Sequence, residues 1–217
     1  PLEVFDAVSQ GSVDTGWTTA GYWIGKIPAA AFFTAVPFGP DTNEYLGWIY
    51  QGGGWELWKE LYAPHNVVPI PCQLTPPEAS GWFRQPITRL EQFKGMKIRF
   101  FGLGGKAMQK LGVSMQLLAP GDIFPALERG VLDATEFAMP NMDMKFGFHR
   151  VAKHYYFPGW HQPSSIGDFI INVNRWKELS EGDQVVIQMA CKSNLIRAVS
   201  KGEAAQPAAL EQFKKEG

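Results

Sequence analysis

The run Lys97–Phe137, KIRFFGLGGKAMQKLGVSMQLLAPGDIFPALERGVLDATEF, decides the fold of this chain. KIRFF reads as a strand, GLGG as a turn, and the residues up to Leu111 as a short helix capped by Gly112. SMQLL is a second strand, APGD a turn, IFPALERG a second helix and DATEF a third strand. Strand and helix alternate, which predicts an α/β architecture with a parallel sheet. Part of the run occurs twice. VFDAVSQGSVD at 4–14 returns as IFPALERGVLD at 123–133, at a constant offset of 119 residues and with no gap. Phe5, Ala7, Gly11 and Asp14 match Phe124, Ala126, Gly130 and Asp133. Each copy reads as a helix end, a Gly that stops it, and an acidic turn into a strand. The spacing is too long for a solenoid and suits two similar α/β lobes of ordinary domain size, and two lobes imply a cleft.

Outward from this run, SVDTGWTTAG predicts a strand ending near Trp17, and AAAFFTAVPFG an apolar segment stopped by Pro37 and Gly39. Thr42–Tyr50 and Trp55–Tyr62 have helical patterns around a break at Gly52, Gly53 and Gly54. Trp48, Trp55 and Trp58 at this spacing are assigned to the core, with a sugar platform as the weaker alternative. Asn66–Cys72 is β-rich, and LTPPEASGWF suits a crossover between lobes. SSIGDFIINVN is a strand. Ser180 and Asp183 resemble a capping box opening a long last helix, which Pro207 is expected to kink or end.

The 217 residues include 45% hydrophobic and 19% charged residues and carry a formal net charge of −1, which excludes disorder and gives no basic run for nucleic acid or an anionic membrane. The apolar stretch Ile27–Phe38 is interrupted by Pro28 and Pro37 and is too short to span a bilayer. The chain starts at Pro1 without a signal peptide, so it reads as processed or as a fragment. Cys72 and Cys191 are far apart with no CxxC, and buried free thiols are the default expectation.

Three features carry candidate chemistry. Gly102-Leu103-Gly104-Gly105-Lys106-Ala107 satisfies G-x-G-x-x-A between a strand and a helix, with Asp122 downstream, as in a dinucleotide site. The helix after it is short, and Asp122 follows Pro120 and Gly121 where it would cap the next helix, so a tight strand-to-helix turn is the better reading. Arg99 lies at the carboxyl end of a strand, the edge where open α/β sheets bind ligands, and its planar fork can hold a carboxylate. A structural ion pair is the competing reading. Glu136 ends the strand of the second repeat copy beside Phe137, where a carboxylate needs a partner or a hard cation, unless it is solvated. His65, His149, His154 and His161 show no paired zinc spacing, and no G-x-S-x-G is present.

KGMKIRFFGLGGKAMQKLGV, APGDIFPALERGVLDATEFAMPNMD and AKHYYFPGWHQPSS, together with DTGWTTAGYWIGKIPAAAFFTAVPFG and YQGGGWELWKELYAPHNVVPIP, cover nearly the whole chain. In these motifs the chain resembles the extracytoplasmic solute-binding proteins of TRAP transporters, in the branch that binds 2-oxo acids, lactate and related carboxylates. The resemblance implies a periplasmic-binding-protein-like fold, incomplete at both ends, of two α/β lobes with a ligand cleft. Residues 1–74 and 137–172 would form lobe I, and 75–136 and 173–217 lobe II, closing about crossovers near 74, 137 and 172. It implies a periplasmic binding protein rather than an enzyme, as a monomer or homodimer, with membrane transporter subunits as partners and no nucleic acid or nucleotide. A nicotinamide-dependent oxidoreductase using the Gly102–Ala107 turn is the alternative.

By the same resemblance Arg99 pairs with the substrate carboxylate, and a sodium or calcium ion bridges protein and substrate. Its ligands would be Glu136, the backbone carbonyl of Phe137 where the family usually has Trp, and Glu78 where the branch usually has Gln. Gln162, which replaces the acid of the family's GWHEP motif, is a further candidate ligand to the ion. Opposite in charge, the changes at Glu78 and Gln162 suggest a compensated swap that preserves the carboxylate count. Tyr22, Asn141 and Trp160 are further candidates for lining the pocket.

Overall fold

Residues 2–216 are described by a computed structural model. In chain order the elements are α1 (Val4–Ser9), β1 (Thr15–Thr18), α2 (Thr42–Gln51), α3 (Gly54–Tyr62), β2 (Val67–Thr75), β3 (Gly81–Phe83), β4 (Lys97–Arg99), α4 (Gly102–Lys110), β5 (Ser114–Gln116), α5 (Pro120–Glu128), β6 (Ala134–Thr135), α6 (Pro140–Phe146), β7 (His154–Tyr156), β8 (Ser165–Asn172), α7 (Val173–Glu178) and α8 (Glu181–Glu216). They form two units. The first takes residues up to Thr34, Pro40–Thr75 and Ser164–Ser200; the second takes Ala35–Gly39, Pro76–Pro163 and residues from Lys201 onward.

The first unit is built on a three-stranded antiparallel sheet in the order β1-β8-β2. β8 is central and almost wholly buried, as its apolar run requires. β2 carries Pro69 and Pro71, which are tolerated because an edge strand need not donate on its outer side. Helix α2 opens on an Asp41–Glu44 capping box and α3 follows the break at Gly53, whose φ is +80°. Trp58 and Tyr62 are fully buried and Trp55 nearly so, while the half-buried Trp48 packs against the same core, as expected for these aromatics.

The ladder shifts register between Pro71 and Gln73, and Cys72, which stands at the irregularity, is joined by a disulfide to Cys191 of α8. The expectation of free thiols is overturned: spacing could not show that the long last helix returns to this strand. Asn194, on the same helix, donates to the Cys72 carbonyl at 2.8 Å.

The second unit has a five-stranded sheet in the order β5-β4-β6-β3-β7. The β4–β5 and β4–β6 pairs are parallel, as the alternating pattern predicts, with α4 and α5 as crossovers. β3 and β7 add antiparallel strands, so the sheet is mixed.

Both repeat copies adopt the same turn. Gly11 and Gly130 have φ of +73° and +71°, the left-handed conformation that ends a helix. Ser12 N–H and Val13 N–H donate to the Ala7 carbonyl at 2.9 and 3.3 Å; Val131 N–H and Leu132 N–H donate to the Ala126 carbonyl at 2.9 and 3.1 Å. The offset of 119 is therefore repeated bond for bond, once in each unit.

Several boundaries differ from the sequence expectation. Residues 137–163 belong to the second unit: β7 pairs with β3, and Asp143 of α6 accepts from Trp82 Nε1 at 2.8 Å. Residues 173–200 belong to the first, tied by the disulfide and by Leu195 in its core. Ala35–Gly39 joins the second because Phe38 donates its N–H to the Trp160 carbonyl at 2.9 Å and stacks on that ring. GLGG is the first turn of α4 rather than a turn before it, and α8 continues through Pro207 to Glu216.

Asp168 on β8 is fully buried, and neither carboxylate oxygen finds a partner from another described residue. Burial pushes it up to about 7. An acid whose folded pKa is raised binds its proton more tightly when folded, so its contribution is full below about pH 4 and is lost as pH rises towards 7. Asp168→Asn should come closest to the parent in melting temperature at pH 4 and gain on it steadily up to pH 8; no gain between pH 4 and pH 8 would refute this. The disulfide spans 119 residues, and the Cys72→Ser/Cys191→Ser variant should lose about 2–5 kcal/mol in urea unfolding.

Candidate functional site

The site lies in the second unit, at the carboxyl ends of two adjacent parallel strands. Arg99 is the last residue of β4 and faces Thr135 of β6, so the residue after β6, Glu136, is delivered beside it. Glu136 N–H donates to the Arg99 carbonyl at 3.1 Å and extends the ladder. Both side chains are buried, 2% and 1% exposed, where an unpaired charge would be prohibitive. Arg99 Nη1 donates to the Glu136 carbonyl at 2.7 Å and to its Oε2 at 3.2 Å, and Phe101 N–H donates to the same Oε2 at 2.8 Å.

A second segment brings Glu78. Its N–H donates to the Gln162 carbonyl at 3.2 Å and its carbonyl accepts from Gly159 N–H at 2.9 Å. A β-carbon on Gly159 would stand 2.2 Å from the Glu78 carbonyl oxygen, so only glycine lets the two segments approach. The positions of the Glu78 and Gln162 exchange are therefore adjacent in the fold. His161, in the same GWHQP stretch, places Nε2 3.7 Å from Glu78 Oε2 and 3.6 Å from Glu136 Oε1. These are ion-pair separations, too long for hydrogen bonds. The ring rests against Phe100 and Trp160.

The electrostatics follow from burial and these neighbours. Burial works to raise Glu136, but the Arg99 charge, His161 and the Phe101 N–H outweigh it and lower its pKa. Burial pushes Glu78 up to about 8, with His161 pulling it down and the Glu136 charge pushing it further up. Burial alone would lower His161; the two glutamates instead raise it to about 9.

Several buried atoms here have no hydrogen-bond partner among the described residues: Glu78 Oε2, Glu136 Oε1, Gln162 Oε1, Arg99 Nε and both ring nitrogens of His161. Each such group costs about 1–3 kcal/mol, so their concentration in one place marks a built site. The carboxylate and amide oxygens suit a hard cation, and the free edge of the guanidinium suits an anionic oxygen. The residues present thus fit the metal-bridged acid that the sequence resemblance implies.

Other expected positions separate. The Phe137 ring packs on Phe146 and Phe148, with the Arg99 guanidinium 5.4 Å from its centre. Asn141 donates its backbone N–H to Gln206 Oε1 at 3.1 Å and accepts from Gln206 Nε2 on its Oδ1 at 3.0 Å, which ties its amide oxygen to α8. Trp160 is half-buried beside His161 and Phe38. Tyr22 belongs to the first unit and packs against that unit's core. Gly102–Ala107 opens α4, and Gly104 faces Phe100 and His161 so closely that a β-carbon would lie 2.6 and 2.8 Å from their atoms. That spacing serves packing.

Two residues escaped the sequence reading. His161 has no paired zinc spacing in the sequence, although it adjoins Gln162 in GWHQP. Asp143 is fully buried and accepts from Trp82 Nε1, Tyr155 Oη and Ala138 N–H at 2.8, 2.9 and 3.1 Å. It fixes the backbone just beyond Glu136 and Phe137.

A mixed sheet that ends in a buried guanidinium beside two glutamates offers a place for a small charged ligand, as in binding proteins of the α/β class. The chain belongs to the bacterial extracellular solute-binding protein family 7, whose family model matches residues 1–217. The family's members are solute-binding proteins, not enzymes. A monocarboxylate 2-oxoacid-binding periplasmic protein of Nostoc sp. is 42% identical over 189 residues, covering 87% of this chain and 52% of that protein. A TRAP transporter solute-binding protein from Bordetella bronchiseptica, with copurified calcium and picolinate, matches with a TM-score of 0.97 at 35% identity, covering 100% of this chain and 64% of its own. One from Pseudoalteromonas atlantica with bound sodium and pyruvate has a TM-score of 0.95 at 34% identity, covering 99% and 65%. The chain thus spans about half of the curated relative and under two-thirds of each solved one.

Removing either Arg99 or Glu136 strands the other charge in the interior, at about 3–5 kcal/mol. Arg99→Met and Glu136→Met should each lower stability by that amount, and the double variant should cost clearly less than their sum. Strict additivity in urea unfolding would contradict the pairing.

Proposed function

We propose that this chain is the acid-capturing part of a periplasmic TRAP-type solute-binding protein, taking a small 2-oxo or 2-hydroxy acid as a metal-bridged complex. The observation that carries the reading is the buried Arg99 guanidinium with a free Nε beside unpaired oxygens of Glu78 and Glu136. A ligand with a carboxylate next to a carbonyl or hydroxyl oxygen meets both halves: Arg99 binds the carboxylate, and the acidic side holds a cation. Glu78, Glu136 and Gln162, with the carbonyl of Phe137, would hold that sodium or calcium ion. When bound, the ion supplies positive charge to the second ligand oxygen. Trp160 remains the candidate wall; Asn141, engaged by Gln206, supports the helix instead.

Periplasmic residence is supported by the relatives and by the Cys72–Cys191 disulfide, which persists in oxidising compartments. The partners on this reading are the membrane components of the transporter. Calorimetric titration with pyruvate and lactate, in calcium, in sodium and after chelation, tests it. Binding should need the cation and weaken at least tenfold in Arg99→Lys, which keeps the charge but loses the fork. If no acid binds under any condition, or NADH binds instead, the reading fails.

A further inference from the structure

Four large apolar side chains that the second unit leaves exposed stand together. Phe38, Leu90, Leu111 and Phe157 rim a cavity of about 530 Å³ whose lining also includes the buried Phe83, Phe100 and Met108. All of its lining residues belong to this unit. Helix α4 leads away from the strand ends that carry Arg99 and Glu136, so Met108 near its end and Leu111 just past it put the cavity on the face of the sheet, away from the acid-binding edge. Arg99, Glu136, Glu78 and Gln162 take no part in the lining; Phe100 and Trp160, which pack on His161, close it on that side.

The rim is held in place at a cost. Phe38 has a φ of +53°, a left-handed conformation that a bulky side chain rarely adopts, and its ring is 82% exposed. Its N–H donates to the Trp160 carbonyl at 2.9 Å and its ring stacks on Trp160 at 5.6 Å between centres. A strained backbone that keeps an aromatic ring upright in water gains little for the fold, and such strain points to function. The lining carries no charged side chain, and its polar groups are engaged: Ser80 Oγ donates to the Pro158 carbonyl and Tyr156 Oη accepts from Ile87 N–H at 2.8 Å. A charged guest would lose its water here without a partner, whereas an aromatic one meets ring faces and edges on several sides.

We propose that this cavity is a second ligand site, separate from the acid site, for an uncharged, flat aromatic molecule of two or three rings. A protein partner would suit a flat apolar face; this one dips from an exposed rim to buried side chains, and its volume falls within the roughly 300–1,000 Å³ of small-molecule sites. The proposal stands apart from acid capture, since the two sites have no charged or metal-binding residue in common.

The test is a fluorescence titration of the full chain with phenylnaphthylamine, an uncharged dye. It should fill one saturable site per molecule, and anilinonaphthalene sulfonate, the same rings carrying a sulfonate, should bind at least tenfold more weakly. Phe38→Gly should weaken dye binding at least tenfold with its melting temperature unchanged or raised, because glycine adopts this backbone conformation without strain. The Leu90→Glu/Leu111→Glu variant, changed only at exposed positions, should lose the dye to the same degree while keeping the parent's circular dichroism spectrum. Absence of a saturable site, equal affinity for the two dyes, or parent-like binding in both variants overturns the proposal. So does light scattering that finds the parent a dimer and the Leu90→Glu/Leu111→Glu variant a monomer, because this face would then be an interface between two copies.

Discussion

The buried pair of Arg99 and Glu136 is the constraint on which the second unit's site depends. Two ions out of water are costly, and their attraction offsets that only with good geometry and further hydrogen bonds. Here the Phe101 N–H and the Glu136 carbonyl supply some of those bonds, and Glu136 is held ionised. The pair is nonetheless left incomplete: Arg99 Nε and Glu136 Oε1 have no hydrogen-bond partner among the described residues. A purely structural ion pair would gain by closing both bonds. The open edges, one cationic and one anionic, are consistent with a pair that orients the site for a third group.

That orientation comes from the backbone. Parallel pairing of β4 and β6 sets Arg99 opposite Thr135, so the next residue must emerge beside the guanidinium. Glu78 arrives on the irregular segment between β2 and β3, whose N–H groups reach Gln162 and, through Ala79, Ala138. Gly159 lets the GWHQP stretch pass over it. Asp143 then anchors the chain beyond Phe137 through three donors, so the carboxylates sit on a frame that resists collapse.

Much of this was legible in the sequence. Alternating strand and helix over 97–137 identified the parallel core of the second sheet, and the strand-end position of Arg99 and Glu136 followed from it. What was not legible depends on distant chain returning. β3 and β7 pair antiparallel because residues far apart in sequence meet, and short apolar runs such as GWF and HYY carry no direction. Cys72 and Cys191 are joined because α8 runs back along the first unit, which no spacing rule encodes. His161 acquires its two ion pairs only from the glutamates that flank it in space, and nothing in the sequence marks Asp168 as buried without a partner from another described residue.

The repeat shows why one copy carries the chemistry. Its turns are alike to the bond, yet position 17 in the first copy is a Trp, 49% exposed, and its counterpart in the second is Glu136, 1% exposed. The difference follows from what the strand enters. β1 is an edge strand with one neighbour, β8, so the residue there faces solvent on one side; Trp17 leans on Phe169 and donates to Gln73 at 3.2 Å. β6 is the middle strand of five, flanked by β4 and β3, and whatever follows it is enclosed. A carboxylate at position 17 would be solvated and only weakly bound to anything. At position 136 the same group loses water, must recruit Arg99, and thereby acquires the electrostatic strength that a small charged ligand can use. Sheet topology, more than the repeated motif, assigns the binding role to the second copy.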